Sequence, residues 1–256
     1  MLISIVTPVY NCEKYIRQTM DSIHSQSYLE FEHIVMDGLS TDATLDIIKE
    51  YDKVHLFSEK DKGQTDALNK GFALTKGDIL AWQNADDIYV PDTFLTVVEF
   101  FKANPDVDVV YGMYKVIDEK GVWQCDVNIK NWDLWKFSHG RFVPMQPATF
   151  WRRNVYEKNT TLDINLKYCM DVDFFAKASK SFKFQAIPVF LGMFRVHSES
   201  KTHNPANKVS VLKEMRDVLA KNYQYTFVDD AVFLFFALRS WIAEFVKTKL
   251  FRKVNV

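Results

Sequence analysis

The 256-residue chain has only eight glycines, and they are scattered along its length. No two of them form a G-x-G pair, so the dinucleotide-binding fingerprint is absent, and no G-x-x-x-x-G-K-[ST] phosphate loop occurs. A diphosphate bound by this chain would have to be neutralised by something other than a glycine-rich loop. Carboxylates that hold Mg²⁺ or Mn²⁺ are the obvious substitute, because both ions prefer hard oxygen ligands.

Excess charge, clustered cysteines and long apolar runs are also lacking. The net charge of −1 argues against a nucleic-acid partner. Cys12, Cys125 and Cys169 lie far apart, which indicates neither a metal cluster nor a disulfide framework. The longest apolar stretch, Ala231 to Leu238, is less than half of the ~20 residues that span a bilayer. The sequence does not begin with a basic segment followed by a longer apolar run, so we expect no signal peptide and a cytoplasmic protein.

What the first half of the sequence does contain is a regular alternation of strand and helix patterns. The strand patterns are Leu2 to Thr7, Phe31 to Met36, Val54 to Ser58 and Asp78 to Gln83. The helix patterns between them are Glu13 to Ser25, Ser40 to Tyr51 and Thr65 to Thr75. This order predicts an α/β fold of Rossmann-like type, with a mostly parallel central sheet flanked by helices.

Beyond Pro91 the pattern is less regular. We predict helices over Asp92 to Ala103 and Asp171 to Ser181, and strands over Val107 to Val116, Val122 to Val127, Phe184 to Ile187 and Val189 to Val196. The aromatic-rich residues 131–147 match neither pattern. Residues 208–256 are helical in character, which predicts a helical C-terminal extension.

Polar side chains follow all four of the first predicted strands: Asn11, then Asp37, then Asp61, and then Asn84 with Asp86 and Asp87. In an open α/β sheet, ligands bind in the crevice at the carboxyl ends of the strands. Asp and Asn are also common turn and cap residues, and that is the alternative for any single position. Four consecutive strand ends of this kind favour a shared pocket.

The Asn84-Ala85-Asp86-Asp87 segment is the strongest candidate for a metal site. Adjacent carboxylates repel each other unless they share a cation or a hydrogen-bond donor. This pair follows an apolar strand and precedes Tyr89-Val90-Pro91-Asp92, whereas the other pair, Asp229-Asp230, is interpreted as a helix cap. The context of the first pair therefore indicates Mg²⁺ or Mn²⁺ binding.

Taken in order, these segments resemble the inverting glycosyltransferases of family 2, which have the nucleotide-sugar-binding fold called GT-A. The resemblance runs from Ser4 to about Arg195. Its pieces are Thr7-Pro8-Val9-Tyr10-Asn11, Val35 to Asp42, Asp61 to Gly71, Gly77-Asp78 and Asn84 to Asp87. It implies a GT-A domain over residues 1–203, divided into a nucleotide-binding half (1–92) and an acceptor-side half (93–203), followed by the helical extension at 204–256.

The resemblance also implies an activity. A sugar would pass from a nucleoside-diphosphate sugar, expected to be a UDP-sugar, to an acceptor hydroxyl with inversion and metal assistance. The acceptor would be a saccharide or a lipid-linked saccharide, in the synthesis of a cell-surface polysaccharide or glycoconjugate.

Matched by position, the family's donor site has several counterparts here. Asp37 matches a carboxylate that accepts a hydrogen bond from the base, Asp86 would lie near ribose and metal, and Asp87 would ligate the metal. Asn84 replaces the first acid of the family's D-x-D signature with an uncharged amide. The remaining expected donor-binding residues are Pro8, Tyr10, Asn11, Asp61, Gly63 and Arg195.

The catalytic base and the acceptor site come from the second half of the chain. Asp171 matches the position of the general base, with a helix N-cap as the alternative role, and Asp173 is a nearby candidate for binding the acceptor. Gln146 would touch the acceptor or serve as a structural amide. His197 would reach the metal or the diphosphate, and its alternative is again structural.

The end of the chain carries apolar residues at helical spacing, followed by basic ones. They are Phe235, Leu238, Trp241, Ile242 and Phe245, then Lys247, Lys249, Arg252 and Lys253. One interpretation is a helix packed on the domain or in a homo-oligomer interface, and the other is an amphipathic helix on an anionic membrane surface.

Two functions rival glycosyl transfer for the whole protein: a nucleotidyltransferase and a sugar-nucleotide-binding protein without activity.

Overall fold

The strands and helices of the first half follow the predicted alternation. The computed structural model describes residues 1–129, 131–159, 161–201 and 204–239. Its first strands are β1 (Ile3–Val9), β2 (Phe31–Asp37), β3 (Val54–Ser58) and β4 (Ile79–Trp82), and its first helices are α1 (Ile16–His24), α2 (Thr44–Ile48) and α3 (Gln64–Leu74). Each lies within a few residues of its expected position.

The second half contains more elements than the sequence indicates. In order they are β5 (Ile88–Tyr89), α4 (Thr93–Ala103), β6 (Val109–Ile117), β7 (Trp123–Val127), α5 (Leu134–Ser138), β8 (Thr149–Arg152), α6 (Arg153–Asn159), α7 (Met170–Ala178), β9 (Phe184–Arg195) and α8 (Lys208–Tyr223). A further helix, α9, covers residues 227–239. The sequence patterns had not predicted β5, α5, β8 or α6.

Within the described ranges the strands form one sheet in the order β3-β2-β1-β4-β8-β6-β9-β5, with β7 paired to β6. The pairs among β3, β2, β1 and β4 are all parallel. Beyond β4 the sheet is mixed: β8 is antiparallel to β4 and β6, β6 is parallel to β9, and β5 is antiparallel to β9. The predicted α/β fold is therefore confirmed, and the antiparallel pairs lie on the side of the sheet beyond β4.

The parallel half brings the carboxyl ends of its strands to one edge. All seven residues of β1 are buried, as expected for a central parallel strand that is covered on both faces. Helix α3 packs closely on this strand, because a Cβ on Gly71 would lie 2.4 Å from Cγ1 of Val6. In the ladder, Val9 pairs with Asp37 and Asp37 pairs with Ser58, so the loops after these strands are neighbours.

Strand β9 was predicted as two strands separated at Pro188, and that prediction was wrong. The backbone stays extended for twelve residues. Proline has no N–H to donate, and the β6–β9 register accordingly shifts after the pair Gly112–Ile187. The strand continues beyond this irregularity to Arg195, which places Arg195 and His197 at the functional edge of the sheet.

Helix α8 packs against α7. Val218 and Leu219 are buried in the same core cluster as Phe175, and Asn222 donates a hydrogen bond to Asp173 (3.0 Å). The domain division at residue 203 stays a prediction. Trp241 and the apolar and basic residues that follow it lie outside the described residues. Across the described ranges, the helices are too short or too polar to span a bilayer.

Candidate functional site

A cleft of about 790 Å³ opens at the carboxyl ends of β1 and β4. It brings together most of the residues that the sequence singled out: Pro8, Tyr10, Asn11, Asp61, Gly63, Asn84, Asp86, Gln146, Asp171, Arg195 and His197 all line it. Asp37, Asp87 and Asp173 do not. The sequence therefore indicated most of the cleft lining, and three of the predicted carboxylates lie outside that lining.

Asn11 connects the loops after β1 and β2 through two hydrogen bonds. Its Oδ1 accepts the backbone N–H of Thr41 (2.8 Å), and its own N–H donates to Oγ of Ser40 (2.9 Å). Asn11 has a positive φ of 47°, which asparagine tolerates better than most residues. The neighbouring Tyr10 leaves 63% of its surface exposed on the cleft wall, so its ring is available for stacking.

Asp37 holds the loop after β2, and its expected contact with the base stays a prediction. Its buried carboxylate accepts hydrogen bonds from the N–H groups of Leu39 and Ser40 (3.1 Å each) and from the Ser58 hydroxyl (2.6 Å). These bonds close the loop after β2, and the side chain does not reach the cleft.

Asp61 is the carboxylate that reaches the cleft beside that loop. Its Oδ1 accepts the N–H of Gly63 (2.7 Å) at the start of α3. Its Oδ2 lies 2.7 Å from the position that a Cβ on Gly38 would occupy. Any side chain at residue 38 would therefore displace this carboxylate.

Asp86 and Asp87 are adjacent but point in different directions. Asp87 is only 1% exposed, and its carboxylate accepts the N–H of Arg195 (2.9 Å) and Nδ2 of Asn84 (3.1 Å). Burial, with the charge of Asp86 next, raises the pKa of Asp87 well above its usual value. Each carboxylate oxygen of Asp87 thus has a partner inside the protein, and its expected role as metal ligand stays a prediction. Asp86 faces the cleft, with Oδ2 2.9 Å from Nε2 of His197.

Arg195 lines the cleft and also makes contacts inside the protein, and its expected role as a donor ligand stays a prediction. Its guanidinium is buried and donates to the carbonyls of Asp86 (2.8 Å), Asp118 and Glu119 (3.2 Å each) and to Oε1 of Gln18 (2.5 Å). These contacts hold the backbone that carries Asp86 and engage all three nitrogens of the guanidinium.

Lys201 is a cleft cation that the sequence had not indicated. Its Nζ donates to Oε1 of Gln64 (3.1 Å). Partial desolvation in the cleft, followed by the positive charge of Lys167, lowers the pKa of Lys201, and the charges of Asp61 and Asp86 oppose that shift. Its nearness in sequence to His197 was the only available signal.

Asn84 connects the neighbouring Asp87 to Gln146 through hydrogen bonds of its side-chain amide. Its Oδ1 accepts from Trp82 Nε1 (2.7 Å) and Gln64 Nε2 (2.9 Å), and its Nδ2 donates to Asp87 and to Oε1 of Gln146 (2.9 Å). Four hydrogen bonds satisfy the amide, so Asn84 positions its neighbours. Gln146 Nε2 is buried and has no hydrogen-bond partner among the described residues, which leaves a donor available for a ligand in the cleft.

Asp171, in the first turn of α7, has the properties of a general base. Its Oδ1 accepts the N–H of Val172 (2.8 Å), and the side chain borders the cleft. Burial raises the pKa of Asp171 to about 6, and the charge of Glu214 acts in the same direction. A carboxyl pKa near neutrality suits proton abstraction.

Asp173 does not line the cleft, and its expected acceptor role stays a prediction. Two residues of helix turn the side chain by about 200° relative to Asp171. Asp173 is buried against α8, where it contacts Lys177 (2.6 Å) and Asn222 (3.0 Å).

The donor set of the cleft fits a divalent cation that is held largely by its substrate. Among the described residues, no three carboxylate, imidazole or thiol groups converge on one point. Asp86 and His197 are the pair close enough to share an ion, and Nδ1 of His197 is buried with no partner in the described ranges. Mg²⁺ and Mn²⁺ commonly take one or two protein ligands and complete their shell with phosphate and water.

Residues 4–177 match the family described as Glycosyl transferase family 2. Among curated proteins, the chain is 36% identical over 124 residues to an uncharacterized glycosyltransferase of Rickettsia felis. That alignment covers 47% of this chain and 21% of the relative, so the chain spans about a fifth of the relative's length.

Two solved structures share the fold. TarS of S. aureus (residues 1–349), solved with UDP-GlcNAc, superposes with a TM-score of 0.71 at 20% identity, covering 91% of this chain and 70% of TarS. The mannosyltransferase PcManGT of Pyrobaculum calidifontis, solved with GDP-Man and Mn²⁺, gives a TM-score of 0.64 at 17% identity, covering 88% and 64%. Since the family match includes well over half of the chain and the fold agrees, the protein belongs to glycosyl transferase family 2.

Proposed function

We propose that the protein transfers a sugar from a UDP-sugar to an acceptor hydroxyl, with inversion and with the help of Mn²⁺ or Mg²⁺. One observation carries the proposal: a single cleft holds Asp171, a carboxylate with a pKa of about 6, together with the Asp86–His197 pair. The first can accept a proton near neutral pH, and the second can hold a cation at a diphosphate.

The nucleoside would bind between the loops after β1, β2 and β3. Tyr10 offers an exposed ring for stacking, and Asp61 offers a carboxylate oxygen for an N–H of the base. Uracil and guanine both carry such an N–H. UDP is our choice because TarS, the neighbour with a TM-score of 0.71, was solved with UDP-GlcNAc.

The diphosphate would lie against Asp86, His197 and Lys201. Asp86 and His197 would hold the cation, and the Lys201 ammonium lines the same cleft. When bound, the divalent ion supplies positive charge that offsets the charge of the departing diphosphate. Lys201 would add a second positive charge there.

Asp171 would accept the proton of the acceptor hydroxyl while the oxygen of that hydroxyl forms a bond to the anomeric carbon. The bond from that carbon to the diphosphate oxygen breaks, and the diphosphate leaves with the electron pair. A single displacement inverts the anomeric centre. Gln146, whose Nε2 lacks a partner among the described residues, is placed to donate a hydrogen bond to acceptor or donor.

The proposed setting is the inner face of the cell membrane, with a saccharide or lipid-linked saccharide acceptor of cell-surface polysaccharide or glycoconjugate synthesis. Exposed apolar side chains on α9 support it. Phe227, Leu234, Phe235 and Leu238 each leave more than half of their surface exposed. The alternative occupant of this face is a second copy of the chain.

The experiment is a thermal-shift screen of UDP, GDP, UDP-GlcNAc and GDP-mannose with and without Mn²⁺, followed by an assay of nucleotide release from any sugar that binds. A bound ligand raises Tm by mass action. We expect Mn²⁺-dependent stabilisation by the uridine compounds and slow UDP release whose rate falls about 10²–10⁴-fold in Asp171→Asn. Stabilisation without release would favour a binding protein. Pyrophosphate release from UTP and a sugar phosphate would favour the nucleotidyltransferase.

A further inference from the structure

Glu214 lies on α8, outside the residues that match the family, yet it contacts the loop immediately before α7, the helix on which Asp171 lies. One of its carboxylate oxygens, Oε1, accepts the backbone N–H groups of Tyr168 (2.7 Å) and Cys169 (2.8 Å). The other, Oε2, accepts the N–H of Lys167 (3.1 Å). A single side chain thus satisfies three consecutive backbone donors immediately before α7.

These three hydrogen bonds constrain the backbone strongly. N–H groups before and within the first turn of a helix have no partner in the helix itself, and bonds from such donors to a carboxylate are charge-assisted. Asp171 follows only two residues after Cys169. Glu214 therefore holds the backbone immediately before the first turn of α7.

Helix α8 is itself fixed to α7, so it can serve as a rigid support. Asn222 donates to Asp173 (3.0 Å), and the Tyr223 hydroxyl lies 2.6 Å from the hydroxyl of Ser179. Val218 and Leu219 are buried between these contacts and Glu214.

We infer that Glu214 is a positioning residue, which holds the 167–169 backbone so that Asp171 is presented to the cleft. This inference rests on the proposed role of Asp171 as general base. According to this inference, α8 supports the catalytic site although it lies in the C-terminal extension.

The negative charge of Glu214 has a second effect, since it contributes to the raised pKa of Asp171 after the larger effect of burial. Other charged or titratable groups that line the same cleft include Lys167, Tyr168 and Cys169 before α7 and, on the cleft wall, Asp61, Asp86, Arg195, His197, Glu199 and Lys201. Replacing Glu214 by a neutral residue should lower the pKa of Asp171.

Two variants of Glu214 separate geometry from charge. Glu214→Gln keeps an oxygen that can accept from Tyr168 and Cys169, but it loses the charge and the bond to Lys167. Glu214→Ala loses all three bonds. With UDP-GlcNAc and Mn²⁺ as the probe, we expect kcat for UDP release to fall about 10²-fold in Glu214→Ala and far less in Glu214→Gln, because small displacements of a catalytic group are costly. The Kd for UDP should stay unchanged in both variants.

The matched control is Asp217→Asn, which removes a carboxylate from the next turn of α8. Asp217 is exposed and pairs with Arg216 (2.9 Å), so this variant should behave like the wild type. In an Asp171→Asn background, Glu214→Ala should cause no further loss of rate, because a positioning residue acts only through the group that it positions.

Wild-type kcat in Glu214→Ala, or a loss of UDP affinity equal to the loss of rate, would overturn the inference. If Glu214→Ala does not fold, the pH profile of Glu214→Gln decides: its acidic limb should move to lower pH, and an unmoved limb counts against the inference. A fully active Asp171→Asn would instead refute the proposed base. An inactive Asp171→Asn beside a fully active Glu214→Ala would refute only the positioning role.

Discussion

Asp86 and Asp87 show how far neighbouring residues can differ in role. Asp86 faces the cleft beside His197, whereas Asp87 is buried between Asn84 and the backbone of Arg195. We therefore expect Asp86→Asn to lower the Mn²⁺-dependent affinity for UDP by about tenfold or more, equivalent to about 1.4 kcal/mol, with little change in Tm. Calorimetric titration of UDP with and without Mn²⁺ measures this.

Asp87→Asn should have the opposite outcome. Its new amide would place an NH₂ group against Nδ2 of Asn84, whose oxygen is already committed to Trp82 and Gln64. An unmatched buried donor costs about 1–3 kcal/mol, which corresponds to a fall in Tm of several degrees. Equal Tm values for the two variants would contradict these assignments.

Asp171 makes the reaction sensitive to pH. Because the pKa of its carboxyl is about 6, the group is mostly ionised at neutral pH and becomes protonated, and inactive as a base, as the pH falls through 6. We expect kcat for UDP release to decline over that range in the wild type. Asp171→Asn should lower the rate by about 10²–10⁴-fold and remove the acidic limb.

The stability of Asp171→Asn provides a check on this prediction. A carboxyl whose pKa is raised in the folded state binds more protons there than in the unfolded chain, so its contribution to stability falls as pH rises from 4 through 6. The Asn variant should therefore be at least as stable as the wild type at neutral pH. Asp173→Asn is the matched control, and it should keep the acidic limb.

The sequence located the polar strand ends of the site but not the direction of each side chain. Asn11, Asp61 and Asp86 reach the cleft, whereas Asp37 closes its own loop. Successive residues near a strand end point to opposite sides, so a shift of one position exchanges a ligand for a buried support. The sequence likewise did not indicate the contacts of Arg195, because only tertiary structure reveals which carbonyls surround a guanidinium.

At the scale of elements, the parallel half was predictable and the mixed half was not. Strands β1 to β4 are apolar runs with polar loops, a pattern that local sequence carries well. The two-residue strand β5 and the four-residue strand β8 are too short to show a period, and they form because β9, β4 and β6 offer them partners. Pro188 correctly indicated an irregularity in β9, but long-range pairing with β6 keeps the backbone extended beyond it.

The contact between β9 and the short helical turn at Gln146–Ala148 gives a prediction about this half of the sheet. A Cβ on Gly192 would lie 2.1 Å from the carbonyl oxygen of Pro147, a backbone atom that cannot move aside cheaply. Gly192→Ala should therefore destabilise the fold by about 1–3 kcal/mol and shift Gln146. Denaturant titration measures the change. Val189→Ala, at an exposed position of the same strand, is the control, and an equal effect there would refute the close-contact argument.

At the scale of the whole molecule, the exposed apolar face of α9 should direct the protein to membranes. We expect the wild type to float with vesicles that contain phosphatidylglycerol and to remain behind with neutral vesicles. The triple variant Phe227→Ser, Phe235→Ser and Leu238→Ser should lose this binding while UDP release stays intact. Val209→Ser, at an exposed position of α8, serves as the control. A wild-type dimer that the triple variant converts to monomer, with no vesicle binding, would assign the face to a second copy.

The hydrogen bonds between Glu214 and residues 167–169 join the last turns of the family-matched region to a helix beyond it. Exchange of segments between relatives is limited by this connection. A hybrid enzyme joined at residue 177 would receive its base from one parent and the support for that base from the other. Functional chimeras should therefore arise most readily when the junction falls after α8, so that both parts are inherited together.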